Sequence, residues 1–336
     1  PCPGNSPGCE AAIVNWEKGK GPPFAAATTV PWGDGYRVGA YMSYPNSESR
    51  TAVFDTDGTP LAAWREQSAC LLIVPRVGPK HVWMGAQFVG QPSTGSTYVV
   101  APYDTISTVS EVALNTALAQ DIDSTDTTLS LEGNSGTKIT IYDHLANQAT
   151  SFGPPPGLGY ILAHPVNDSA LMLFFPAFEK PEAWIWNRST HTTQPLIQPA
   201  PELVLDVRSD GETLVWVQVP AKAELDPVFP PGSLWTSPFA TSKAGLKPTK
   251  RRPMGKFGEI SSAASQGFYA MFSATPDRTI HVYRLSDAQH WAFVPPEEFS
   301  DIRAVSYVDA KTVWYWTVAG MYRQAIDALG PGDPPP

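Results

Sequence analysis

Hydrophobic residues along this chain fall in short runs of strand length, separated by turns rich in Gly, Asp, Asn and Pro. One pattern occurs seven times: a strand, a short turn, and then a strongly apolar and aromatic strand. The copies include VPWGDGYRVGAY from Val30 and VLDVRSDGETLVWVQV from Val204. The copies are spaced by 44, 47, 42, 43, 56 and 43 residues, measured between the equivalent turn positions Gly35, Pro79, Asp126, Asp168, Gly211, Gly267 and Ala310. This near-constant period indicates a repeat protein.

A second and weaker hairpin follows the first in several copies, as in TAVFDTDGTPLAAW from Thr51 and TIHVYRLSDAQHWAF from Thr279. The repeating unit therefore contains four short strands in about 43 residues, which is the length of one β-propeller blade. We predict an all-β fold, a seven-bladed β-propeller. The 56-residue interval leaves about 12 extra residues, which we expect in a loop after Pro220 or after Ser242.

The two ends of the chain predict how the repeat array is closed. The last copy has sequence for three strands, ending with GMYRQAI, and the N-terminal segment AAIVNW from Ala11 has no other partner. We expect this segment to supply the missing strand of the last blade and to close the ring. The predicted organisation is an N-terminal tail over 1–10, a single propeller domain over 11–328, and a disordered Pro- and Gly-rich tail over 329–336.

The segment VLDVRSDGETLVWVQV resembles the repeats of TolB-type, WD40-like β-propellers, in which an Asp-Gly turn joins the first two strands of each blade. At the repeat period the resemblance extends over residues 11 to 328, although no Trp-Asp or Gly-His pair of true WD40 repeats occurs. The resemblance implies a fold and a location outside the cytoplasm. It transfers no functional residue, because propellers have many unrelated functions.

Composition narrows the class and the location of the protein. Charged residues make up 16% and the net charge is −9, which disfavours nucleic acid as a partner. No apolar run reaches the length of a transmembrane helix. The chain starts at Pro1 without an initiator Met, so we expect an upstream segment, whether a processed leader or a surface anchor. Cys2 and Cys9 either form a small disulfide or stay free, and Cys70 is expected to be buried. We therefore predict a secreted or periplasmic protein.

A basic cluster stands out because the chain has only 23 Lys and Arg. It lies in the long interval between the fifth and sixth copies, in a segment that is either a solvated loop or a surface for an anionic glycan, lipid headgroup or acidic partner. The candidate ligand-binding residues are Lys247, Lys250, Arg251, Arg252 and Lys256.

Candidate chemistry elsewhere is weak. Acidic residues cluster in the turns at Asp55-Asp57, Asp121-Asp126 and Asp210-Glu212. Their spacing matches only part of a calcium-binding loop, and acidic residues are also common in ordinary hairpin turns. The six histidines show no metal-ligand spacing, and no nucleophile motif occurs, so the catalytic residues are unknown and no metal or cofactor is predicted. We predict a monomeric binding or scaffold module for a protein or anionic glycan partner. The alternative is a propeller hydrolase or lyase that uses His and carboxylates at the central channel.

Overall fold

The structure of the chain is a computed structural model. It describes residues 9–14, 24–32, 35–43, 49–56, 59–65, 70–72, 76–77, 81–88, 96–102, 110–114, 118–122, 127–132, 138–143, 148–152, 159–166, 169–175, 182–187, 189–197, 202–220, 230–258, 260–273, 278–295, 302–317 and 320–334.

The described strands form seven sheets, six of which are built from strands that are consecutive in the chain. The first sheet contains β2 (Phe24–Trp32), β3 (Gly35–Ser43), β4 (Ser49–Asp55) and β5 (Pro60–Arg65). The second contains β6 (Cys70–Leu72), β7 (Arg76–Val77), β8 (His81–Phe88), β9 (Ser96–Pro102) and β10 (Ser110–Leu114). The third contains β11 (Leu118–Ile122), β12 (Thr127–Glu132), β13 (Lys138–Asp143) and β14 (Gln148–Phe152). The fourth sheet contains β15 (Gly159–Val166), β16 (Ser169–Phe175), β17 (Glu182–Asn187) and β18 (Thr192–Ile197). The fifth contains β19 (Glu202–Ser209), β20 (Thr213–Pro220), β21 (Ser233–Pro238) and β22 (Thr249–Pro253). The sixth contains β23 (Ile260–Ser265), β24 (Phe268–Ser273), β25 (Thr279–Arg284) and β26 (His290–Phe293).

The remaining sheet combines strands from the two ends of the sequence. Its members are β27 (Ile302–Val308), β28 (Thr312–Thr317), β29 (Gly320–Ala325) and the N-terminal strand β1 (Cys9–Val14), in the order β1-β29-β28-β27. The segment AAIVNW was expected to contribute the outer strand here, and β1 is the strand next to β29.

The seven hairpins predicted from the sequence coincide with adjacent antiparallel strands in six sheets and with β27 and β28 in the seventh. The turns explain part of this agreement. Gly211 and Gly267 have φ angles of 99° and 79°, a backbone conformation that glycine adopts at little cost. Turn chemistry and strand pattern therefore specify the same local structure.

Two compact units make up the chain. One comprises residues 1–10, 155–315 and 323–336, and the other comprises 11–154 and 316–322. No helix among the described residues has the length and hydropathy of a membrane-spanning segment.

The core of the first unit lies between neighbouring sheets, and β20 shows how the sequence builds it. Leu214 and Trp216 belong to a cluster with residues of β15, β17, β18 and β19, whereas Val215 and Val217 belong to a second cluster with residues of β24 and β25. Side chains alternate between the two faces of a strand, so a continuous apolar run fits a strand covered on both sides. All four side chains are buried. Burial of each large one contributes about 1.5–3 kcal/mol.

The C-terminal residues differ from the disordered tail expected from the sequence. A 3₁₀ turn at Asp327–Leu329 follows β29, and an antiparallel bridge joins Asp333 to His290. The physical reason is that β26 is the outer strand of its sheet and leaves backbone groups free to pair with another segment.

Candidate functional site

The basic cluster folds into a 3₁₀ turn at Lys243–Gly245 followed by β22, the outer strand of its sheet. Two contacts hold the segment: the Lys247 N–H donates to Ser237 Oγ (2.8 Å), and the Leu246 side chain packs on the core cluster around Trp216. Part of the predicted loop is therefore an edge strand. Lysine on an edge strand also discourages pairing with other chains.

Four lysines of this segment are exposed: Lys243, Lys247, Lys250 and Lys256. None of them has an ion-pair or side-chain hydrogen-bond partner among the described residues. We call these four residues the lysine surface. No residue that the structure describes neutralises their positive charge, although the chain as a whole has a net charge of −9.

The two arginines of the predicted set have structural contacts instead. Arg251 Nε donates to Thr236 Oγ1 (2.6 Å), and Thr236 is buried. Arg252 donates through Nη1 to the carbonyl oxygens of Ala288 (3.3 Å) and Pro334 (3.0 Å). The structure thus divides the sequence-predicted set into solvent-facing lysines and arginines engaged within the protein.

A buried polar network joins three consecutive sheets in the same unit. Ser262 Oγ and Tyr269 OH both donate to Asp206 Oδ2, at 2.6 and 2.8 Å. Arg208 Nε donates to Ser262 Oγ (2.8 Å) and lies 3.4 Å from Asp206 Oδ1, while its Nη1 lies 2.7 Å from His164 Nδ1. Burial, followed by the charge of Asp206, raises the pKa of Tyr269 well above its usual value, so the phenol keeps its proton and donates. We assign this network a structural role.

This network was not predicted from the sequence, although the repeat contains a signal for it. Asp206 and Ser262 each lie five residues before the turn glycine of their copy, Gly211 and Gly267. A comparison of polar residues at equivalent repeat positions would have paired them.

The acidic turn of the fifth sheet also has a structural role. Asp210 Oδ1 accepts the backbone N–H groups of Glu212 (3.0 Å) and Thr213 (2.7 Å), and its Oδ2 accepts that of Gly267 (2.8 Å) in the next sheet. Asp55, in another predicted acidic turn, accepts from Arg37 and from the Thr56 N–H. Within the described ranges, no group of three or more His, Cys, Asp or Glu is arranged to hold a metal ion.

Two of the six histidines come together. His281 Nδ1 lies 3.0 Å from His290 Nε2, and His290 Nδ1 lies 2.9 Å from Asp333 Oδ2. The His290 ring stacks on Tyr283 with centroids 4.7 Å apart. Burial lowers the pKa of His290, and the hydrogen bond from His290 lowers the pKa of Asp333.

Other predicted positions lie outside the described residues. Cys2, Asp57, Asp126 and His144 belong to this group, and nothing is described for the side chains of Cys9, Cys70 and His81. The predicted disulfide between Cys2 and Cys9 therefore stays a prediction.

Solved structures similar to this chain have β-propeller, WD40-like folds. The RRP9 WD40 repeats are 9% identical with a TM-score of 0.60 and cover 95% of this chain and 98% of that one. A prolyl endopeptidase is 15% identical to this chain, with a TM-score of 0.56, and the match covers 86% of this chain. An acylaminoacyl peptidase from Pyrococcus horikoshii is 10% identical, with a TM-score of 0.56, and the match covers 88% of this chain. The chain spans about half of each peptidase, 46% and 49%. No family model and no curated protein matches the sequence. These similarities show the fold, and they confirm the fold-level resemblance predicted from the repeat.

Proposed function

We propose that this protein is a seven-bladed, ring-closed β-propeller that works outside the cytoplasm as a monomeric binding module for an anionic protein or glycan. The seven sheets formed by the described strands support the number of blades. The position of β1 beside β29 supports the closure of the ring. The observation that carries the binding function is the lysine surface, whose positive charges have no described partner.

The lysine surface suits a ligand with several spaced negative charges. Each lysine at the surface contributes about 1 kcal/mol toward an anion about 4 Å away in water-like surroundings, so affinity comes from several contacts together. Screening by salt weakens such contacts, because the Debye length is only about 10 Å at 0.1 M. Sulfated or carboxylated glycans and acidic protein segments both carry several such charges.

The test is retention on immobilised heparin, followed by titration with poly-glutamate. We expect the wild-type chain to be retained at low salt, and the triple variant Lys243→Glu, Lys247→Glu, Lys250→Glu to elute in the wash. Its free energy of unfolding should stay within about 1 kcal/mol of the wild type, as for other surface changes.

Lys311 supplies the matched control, because it is also exposed and lies in the same unit, far from β22 in sequence. Lys311→Glu and Lys250→Glu change the net charge equally, but only Lys250→Glu should lower the salt concentration needed for elution. Absence of wild-type retention on heparin and of poly-glutamate binding, or equal effects of the two single changes, would refute the lysine surface as the binding site.

A further inference from the structure

The outer edge of β26 is paired with the segment 330–334. The His290 N–H donates to the Asp333 carbonyl (3.2 Å), and the Asp333 N–H donates to the His290 carbonyl (2.7 Å). This is an antiparallel bridge of the kind by which an added peptide extends a sheet.

Three side chains also bind the backbone of this segment. Trp291 Nε1 donates to the Gly330 carbonyl (3.2 Å), Gln289 Nε2 donates to the Pro331 carbonyl, and Arg252 Nη1 donates to the Pro334 carbonyl. Every peptide has carbonyl groups, so these contacts do not depend on the side chains of the bound segment. They would be available to any peptide whose backbone follows the path of residues 330–334 at this edge.

The same site recognises a carboxylate. Asp333 Oδ2 lies 2.9 Å from His290 Nδ1 and 3.3 Å from Arg252 Nη2. The side chains of His290 and Arg252 are only 13% and 19% exposed, whereas that of Asp333 is 63% exposed. His281 and Tyr283 hold the His290 ring from behind. Packing therefore fixes His290 and Arg252, which recognise the carboxylate, whereas the Asp333 side chain that they bind is exposed.

A glycine is required immediately before the carboxylate residue. Gly332 has a φ angle of 70°, and a Cβ there would lie 2.7 Å from Trp291 Nε1 and 2.8 Å from the His290 carbonyl oxygen. Both the backbone conformation and the close approach exclude larger residues. A Gly-Asp pair is thus the sequence that this edge accepts.

The segment 330–334 uses only part of the edge. In an antiparallel ladder, residues two apart direct their backbone groups to the same side, so Ala292 faces the same edge as His290. No described residue pairs with Ala292 on that side. The positive φ angle of Gly332 is not a strand conformation, so the bridge at Asp333 does not continue as a ladder to Ala292.

We propose that the edge of β26, with Arg252, Gln289, His290 and Trp291, is a binding site for a Gly-Asp peptide of a partner protein that follows the backbone path of residues 330–334. We call this the β26 edge site, and residues 330–334 occupy it as an internal competitor. An attached segment has an effective concentration in the millimolar range, so the partner binds when its own contacts are stronger or when the segment is released. The β26 edge site is separate from the lysine surface. The proposal for the β26 edge site therefore does not depend on the function proposed for the lysine surface.

The experiment uses the full chain with the internal segment displaced, by Gly332→Val in one variant and by Asp333→Lys in another. The probe is a fluorescein-labelled peptide with the sequence of residues 328–336, followed by fluorescence anisotropy. We expect both displaced variants to bind the peptide at least tenfold more tightly than the wild-type chain does. Circular dichroism verifies that the variants are folded.

Changes in the peptide and the receptor test the assigned contacts. A peptide with Asp333→Asn, or Arg252→Ala added to a displaced variant, should weaken binding at least tenfold, since a charge-assisted pair is lost. Lys247→Ala with Lys250→Ala should change the affinity less than twofold, which separates this site from the lysine surface. No saturable binding to folded displaced variants, or equal binding of the Asp333→Asn peptide, would overturn the proposal.

Discussion

Removal of the Asp206 side chain should strongly destabilise the fold, because Asp206 is a buried carboxylate with three partners. Its side chain accepts hydrogen bonds from Ser262 and Tyr269 and pairs with Arg208. In Asp206→Ala these donors lose their acceptor inside the protein. An unsatisfied buried polar group costs about 1–3 kcal/mol, and removal of one partner of a buried ion pair costs about 3–5 kcal/mol. The contributions overlap, so we expect a loss of about 3–5 kcal/mol.

The measurement is urea unfolding of the full chain, monitored by circular dichroism, with Asp206→Asn as the conservative comparison. The asparagine keeps one acceptor oxygen and should lose about 1–3 kcal/mol. A double-mutant cycle with Tyr269→Phe isolates the contact of the phenol with the carboxylate, and we expect a coupling energy of at least 0.5 kcal/mol. A loss below about 1 kcal/mol for Asp206→Ala, together with no coupling to Tyr269, would show that the network does not stabilise the fold.

Two further predictions concern a backbone contact and the β26 edge. Gly232→Ala should destabilise the fold by about 1–3 kcal/mol in urea unfolding, because the added Cβ would lie 2.7 Å from the carbonyl oxygen of Gln218; an unchanged midpoint would contradict this. Burial lowers the pKa of His290 below its unfolded value, so the unfolded chain takes up the proton first and stability falls as the pH drops below about 6.5. Asp333 and Arg252 are the charged groups that face this ring, with opposite effects on its pKa. His290→Gln should reduce the loss of melting temperature between pH 7.5 and 5.5, and an equal loss in both proteins would refute this assignment.

The sequence predicted much of the fold because its signals are local. Apolar strands such as 214–217 and turn glycines such as Gly211 specify hairpins through neighbouring residues alone, and the repeat period multiplies that signal. The strand next to β29 was predicted in a different way, by elimination, because AAIVNW has no other partner in the sequence. Turns and the pairing of neighbouring strands follow from short-range chemistry.

The candidate sites depended on contacts between distant residues. Lys250 and Arg252 are two residues apart on one strand, yet Lys250 faces solvent and Arg252 contacts residues 288, 333 and 334. His290 and Asp333 are separated by 43 residues and meet only because an outer strand had unpaired backbone groups. Sequence by itself determined the repeating strands, the turns and the basic character of one segment. Tertiary structure alone decided which charges are free and which are paired, because a side chain's partner is set by the packing of whole sheets.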